Sequence, residues 1–340
     1  MNYNAPWWLP GGNLQTIWAA LRGLRYLQSK PLFRRERWRT PDQDFVDVDW
    51  LTESSCTDAK AQPLLVVFHG LEGSSSSHYA EAFADVASSL GWAFAVPHFR
   101  GCSGELNLAP RAYHSGDFEE IDWMLRRFKA MHAGPLLAVG ISLGGNALMR
   151  WAGELENAAD DVVNAISSIC SPLDLTASGK AIGKGFNRQT YTRMFLATMV
   201  PKALQKWAQH PHLFSREALL AARDLYAFDD IFTAPLHGFK DTDDYWFRAS
   251  AKPHMQSIAV PALALNARND PFVPAASLPG IGDVSASVTL WQPGQGGHVG
   301  FPADSEDGWP HAHVRAMPMA VCEFLAQHLP STARSLNIHG

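Results

Sequence analysis

Short, wholly apolar runs recur along the chain, separated by stretches whose apolar residues repeat every three or four positions. The runs are LLVVF (64–68), WAFAV (92–96), LLAVGI (136–141), VNAISSI (163–169) and PALALNA (261–267). A run without polar alternation reads as a strand covered on both faces, as in a parallel sheet. Between the runs, Tyr79, Phe83, Val86 and Leu90 share one helical face. So do Phe118, Ile121, Leu125 and Phe128, and again Leu148, Ala152 and Leu155. Strand and helix in alternation predict an α/β fold with right-handed crossovers, a mostly parallel central sheet and helices on both of its faces. SVTLW (287–291) and a helix containing Val321, Phe324 and Leu325 close this core.

Three regions depart from that rhythm. RRERWRT and DFVDVDWLT alternate apolar and polar residues, which predicts half-exposed strands forming an antiparallel edge. From 175 to 250 there are helical patterns, YTRMFLATMV ending at Pro201 and SREALLAARDLYAF, but no buried strand. Helices inserted between two core strands must bury their apolar faces, and the mouth of a site at the strand ends is the available surface. The expected organisation is a core of residues 1–174 and 251–340 with a helical cap at 175–250; a separate small helical domain is the other arrangement. Residues 1–30 carry Trp7, Trp8, Gly11, Gly12 and Trp18, an aromatic-rich extension expected to pack on the core, with the wall of a pocket as its other use.

Composition narrows the class. A length of 340 residues suits one α/β domain plus an insertion. A net charge of −5 without a basic block argues against nucleic acid. Cys56, Cys102, Cys170 and Cys322 lack C-x-x-C spacing, so neither a zinc site nor a disulfide framework is expected. MNYNAPWWLPGG has no basic start followed by an apolar core, and no run approaches the roughly 18 apolar residues of a membrane span. The expectation is a cytoplasmic protein without stable membrane insertion.

The candidate chemistry begins at Gly140-Ile141-Ser142-Leu143-Gly144, a G-x-S-x-G pattern between an apolar run and a helical stretch. A strand that turns sharply into a helix projects one serine hydroxyl at the top of the sheet. Ser142 is therefore the candidate nucleophile. A serine hydroxyl needs a base and a group to orient that base. His298, in Gly296-Gly297-His298-Val299-Gly300 after the last strand, is the candidate base. Asp270, in NDPFVP directly after PALALNA, is the candidate acid, with Asp174 in SPLDL as its competitor and as a helix cap otherwise. Chain order Ser, Asp, His agrees with this fold class.

Backbone N–H groups aimed at a developing oxyanion contribute about 3 kcal/mol each. The N–H of Leu143 follows the nucleophile directly, and the N–H of Leu71 lies on the glycine-containing loop after the first buried strand. Other clusters carry less. Arg100-Gly101-Cys102-Ser103-Gly104 lacks the Lys-Ser/Thr pair of a phosphate loop. Asp229, Asp230, Asp241, Asp243 and Asp244 lack calcium-loop spacing and read as solvated loops or helix caps. His69, His78, His98 and His114 are not at zinc-ligand spacings.

HGLEGSSSSHY (69–79), FRGCSGELN (99–107), YHSGDFEEIDWML (113–125), GISLGGNALMRW (140–151), NDPFVP (269–274), GGHVGF (296–301) and GGNLQTIW (11–18) together resemble the YheT-like branch of the α/β hydrolases. The resemblance spans nearly the whole chain. It implies an α/β-hydrolase fold with a helical cap, triad roles for Ser142, Asp270 and His298, and hydrolysis of carboxylic esters, often acyl or lipid esters. Some members of that branch carry an N-terminal membrane helix, which is not expected here, and others transfer acyl groups to alcohols. The expected activity is a serine esterase working through an acyl-enzyme on a small-molecule ester, with no metal or organic cofactor. Acyl transfer to an alcohol and a catalytically silent binding protein on the same fold are its alternatives. Met194, Phe195, Leu196, Met199 and Trp207 are the apolar candidates for receiving an acyl chain.

Overall fold

The computed structural model describes residues 3–27, 29–52, 62–304 and 312–330; Cys56 lies outside them. In chain order the elements before the insertion are α1 (Gly12–Leu21), β1 (Phe33–Arg39), β2 (Phe45–Leu51), β3 (Leu64–Phe68), α2 (His78–Ser89), β4 (Ala93–Pro97), α3 (Phe118–Met131), β5 (Leu136–Ile141), α4 (Leu143–Leu155) and β6 (Ala165–Ile169). The insertion contributes α5 (Leu175–Ile182), α6 (Gly185–Asn187), α7 (Arg193–Gln209), α8 (Arg216–Ala221), α9 (Leu225–Phe228), α10 (Ala234–Leu236) and α11 (Thr242–Ala249). Then β7 (Ala262–Leu265), β8 (Val288–Trp291) and α12 (Ala316–Ala326) complete the core.

All eight strands form one sheet in the order β1-β2-β4-β3-β5-β6-β7-β8. β1, β2 and β4 pair antiparallel, and every other neighbour is parallel. The chain runs outward from β3 to β4 and returns on the other side of β3 as β5. That reversal opens a crevice at the carboxyl ends of β3 and β5, the usual ligand position in an open parallel sheet.

Alternation along β3 divides the interior into two layers. Leu64, Val66 and Phe68 face a core shared with Ile121, Leu125, Leu148 and Trp151 of α3 and α4. Leu65 and Val67 face the opposite layer, with Phe83 of α2 and Val321 of α12. Both faces are covered, which is why LLVVF carries no polar residue.

Four expectations change in the structure. β2 is almost wholly buried rather than half-exposed. Its polar positions tolerate burial because Arg37 pairs with Asp47 at 2.8 Å and Arg35 with Asp49 at 2.7 Å from the neighbouring strand. The helix of YTRMFLATMV does not end at Pro201; α7 runs on to Gln209. Proline denies a hydrogen bond to the carbonyl four residues earlier, but Ala197 and Pro201 are both exposed, so water can serve that carbonyl. SREALLAARDLYAF splits into α8 and α9, because the Asp224 carboxylate accepts from Ala227 N–H at 3.0 Å and starts a new helix. Trp7 is 89% exposed, while Trp8 and Trp18 pack edge-to-face at 5.3 Å. Among the described residues no helix is long and apolar enough to cross a membrane.

Candidate active site

Ser142 stands between β5 and α4 at φ 50° and ψ −115°, a conformation that costs a non-glycine residue about 1–3 kcal/mol. The turn is tight because it is wedged against the end of β3. A β-carbon at Gly144 would lie 2.6 Å from the carbonyl oxygens of both Phe68 and His69, so only glycine fits there. The hydroxyl is thereby fixed at the crevice floor.

Asp270 follows β7 and His298 follows β8, on loops that meet over Ser142. His298 Nε2 lies 3.0 Å from Ser142 Oγ, and Nδ1 lies 2.8 Å from Asp270 Oδ2. The Asp270 side chain is fully buried, and its other oxygen accepts the N–H groups of Phe272 at 2.7 Å and Val273 at 3.3 Å. Those two bonds hold the carboxylate so that its remaining oxygen is aimed at the imidazole. That partner fixes the proton on Nδ1 and leaves Nε2 as an acceptor toward the serine. Phe272 lies against the imidazole, with ring centres 4.2 Å apart. The competing carboxylate, Asp174, accepts from Ala177 N–H at 2.9 Å and caps α5.

The loop after β3 shows how one N–H is kept available. Gly70 N–H donates to the Tyr79 hydroxyl and Glu72 N–H to the Tyr113 hydroxyl, both at 3.0 Å. His69, whose pKa burial first and then the neighbouring His98 push down to about 3, is neutral. Its Nε2 accepts from Phe99 N–H at 3.1 Å and its Nδ1–H donates to Gly70 carbonyl at 2.8 Å. The Leu71 N–H between these anchors has no acceptor among the described residues, and neither does the Leu143 N–H at the first turn of α4. Both residues line the cavity that holds Ser142 and His298. Tyr79, Tyr113 and His69 were not legible as loop anchors, since their partners lie up to 41 positions away in the chain.

The cavity measures about 160 Å³. Ile182, Phe195, Met199, Phe228, Phe232 and Phe272 form much of its apolar wall. Of the five apolar candidates on α7, Phe195 and Met199 line it, Leu196 packs within the insertion, Met194 is 56% exposed, and Trp207 is outside the lining. Asp229 also lines it, accepting from Trp246 Nε1–H at 2.9 Å and the Thr233 hydroxyl at 2.6 Å, so it is not a solvated loop residue. The Cys102 thiol, pushed up to about 12 by burial, is no rival nucleophile.

Cys170 Sγ, the Asp270 carboxylate and a His298 ring nitrogen lie within 4.8 Å of one another. Their donor atoms are already engaged: Sγ accepts from Val299 N–H at 3.2 Å, and Nδ1 and Asp270 hold each other. A cation there would have to break the contact that aims His298 at Ser142, so the arrangement does not suit a metal.

A family model described as alpha/beta hydrolase fold matches residues 63–304. YheT of Escherichia coli (strain K12) is 39% identical over 282 residues, covering 79% of this chain and 81% of that protein. Phospholipase ABHD3 of Homo sapiens is 27% identical over 296 residues, covering 84% of this chain and 70% of that protein. Among solved structures, Est1E from Butyrivibrio proteoclasticus superposes with a TM-score of 0.52 at 14% identity, covering 88% of this chain and 99% of that one.

Proposed function

The chain belongs to the α/β-hydrolase family, in the branch that includes YheT, and from that membership we propose that it is a serine esterase acting on small carboxylic esters. The observation that carries the reading is the unbroken contact chain from Asp270 through His298 to Ser142 at the floor of an apolar cavity. Ser142 Oγ attacks the ester carbonyl as His298 Nε2 takes its proton, and Asp270 orients the imidazole and stabilises the imidazolium. Negative charge developing on the carbonyl oxygen is met by the N–H groups of Leu71 and Leu143. The alcohol departs with the proton held by His298, leaving an acyl group on Ser142. Water, deprotonated by His298, attacks that acyl-enzyme and releases the carboxylic acid.

In this reading residues 175–250 are a cap whose α7 supplies Phe195 and Met199 to the acyl side of the cavity. A volume of about 160 Å³ with this apolar lining suits a short acyl group. Turnover of a graded series of p-nitrophenyl esters by the wild type and Ser142→Ala tests the proposal. The expected result is a maximum among short acyl chains that disappears in Ser142→Ala; undiminished turnover in that variant contradicts the assignment.

A further inference from the structure

The loop that carries His298 belongs to no helix or strand, yet its backbone donors are held one after another by side chains from elsewhere. Gly296 N–H donates to Gln15 Oε1 at 2.9 Å, Gly297 N–H to Asn269 Oδ1 at 3.0 Å, His298 N–H to Thr16 Oγ1 at 2.8 Å, and Val299 N–H to Cys170 Sγ at 3.2 Å. Two of the four acceptors come from α1, more than 280 positions away in sequence.

Each α1 acceptor is itself fixed. The Thr16 hydroxyl donates its hydrogen to Gly12 carbonyl at 2.7 Å, which leaves its lone pairs for His298 N–H. The Gln15 side chain is buried, and its Nε2 donates to Leu9 carbonyl at 2.9 Å, which turns Oε1 toward the loop. The same Oε1 accepts from Asn269 Nδ2 at 2.9 Å, and Asn269 immediately precedes Asp270. One glutamine oxygen thus joins the loop of the acid to the loop of the base. α1 sits so close that a β-carbon at Gly12 would lie 1.8 Å from Asn269 carbonyl oxygen.

From this geometry we infer that Thr16 and Gln15 are positioning residues for the reaction: α1 sets the backbone of His298 and, through Asn269, its register against Asp270. The inference rests on the triad reading above. β7 and β8 have only four residues each and end before these loops, so the sheet alone does not set the imidazole. Proton transfer needs Nε2 within hydrogen-bond reach of Ser142, and a misplacement of about 1 Å can cost on the order of 100-fold in rate. This gives the GGNLQTIW segment a function that its composition does not indicate.

Thr16→Val keeps the side-chain shape and removes the acceptor; Thr16→Ser restores an acceptor. Steady-state kinetics on the preferred p-nitrophenyl ester, corrected to the folded fraction by thermal denaturation, are compared for both variants and for His298→Ala. The expected result is kcat reduced roughly 10- to 100-fold in Thr16→Val with KM nearly unchanged, and restored to within about threefold in Thr16→Ser. Wild-type kcat per folded Thr16→Val molecule, or equal loss in the Val and Ser variants, overturns the inference. If His298→Ala is inactive while Thr16→Val is unimpaired, only the positioning role falls. Turnover surviving in His298→Ala removes the triad reading and this inference with it.

Discussion

Lys202 Nζ lies 2.8 Å from Glu72 Oε2, joining α7 of the insertion to the loop that carries Leu71. The other Glu72 oxygen accepts from the Tyr113 hydroxyl at 2.9 Å, so the insertion and the loop share one carboxylate. The Lys202 side chain is partly solvated, which limits the pair to the scale of about 1 kcal/mol. Lys202→Met keeps the aliphatic stem and frees Glu72, letting the Leu71 N–H lose its aim. The predicted outcome is a loss of about three- to tenfold in kcat/KM on short esters. Unchanged kcat/KM would show that the pair ties the insertion down without influencing the loop.

The two candidate acids predict opposite phenotypes. Asp270→Asn keeps the shape but replaces the acceptor for Nδ1–H, and the wrong tautomer costs on the order of 10⁴ in kcat. Asp174→Ala removes the N-terminal cap of α5 and lowers stability by about 1 kcal/mol while leaving kcat near wild type. Kinetics and urea midpoints on both variants check the pair. Activity lost in Asp174→Ala and kept in Asp270→Asn would transfer the orienting role.

The fold was legible where burial is uniform. LLVVF and LLAVGI coincide with β3 and β5 residue for residue, because these strands are covered on both faces and are apolar throughout. Ser142, Asp270 and His298 were legible as candidates because each sits just after an apolar run, and the structure brings them together. What the sequence hid depends on partners far apart in the chain. The buried Asp47 and Asp49 look like exposed positions until Arg37 and Arg35 are placed beside them. Tyr79, Tyr113, Gln15 and Thr16 gain their roles from backbone groups of other loops, and no local spacing encodes that. Helix ends in the insertion were misread at Pro201 and Asp224 because solvent exposure and side-chain capping decide them.

Asp229 gives the insertion a pH dependence. Burial pushes its carboxyl up from 3.8 to about 6, with only the Thr233 hydroxyl and Trp246 N–H to favour the ionised form. Between about pH 4 and 6 the folded chain therefore binds more protons at this group than the unfolded chain, so its contribution to stability falls as pH rises through that window. It is level above. Asp229→Asn removes the titration, so the stability difference, variant minus wild type, should become more favourable to the variant from about pH 4 to 6 and then stay constant. Urea midpoints across that range check it; a pH-independent difference would mean that Asp229 titrates normally.

The central claim is that Ser142 is a nucleophile activated by His298. Labelling with a fluorophosphonate, followed by peptide mass spectrometry to locate the adduct, tests it most directly. The account predicts one adduct, on Ser142, absent from Ser142→Ala and formed far more slowly in His298→Ala. No adduct on Ser142, or labelling of His298→Ala at the wild-type rate, would contradict it.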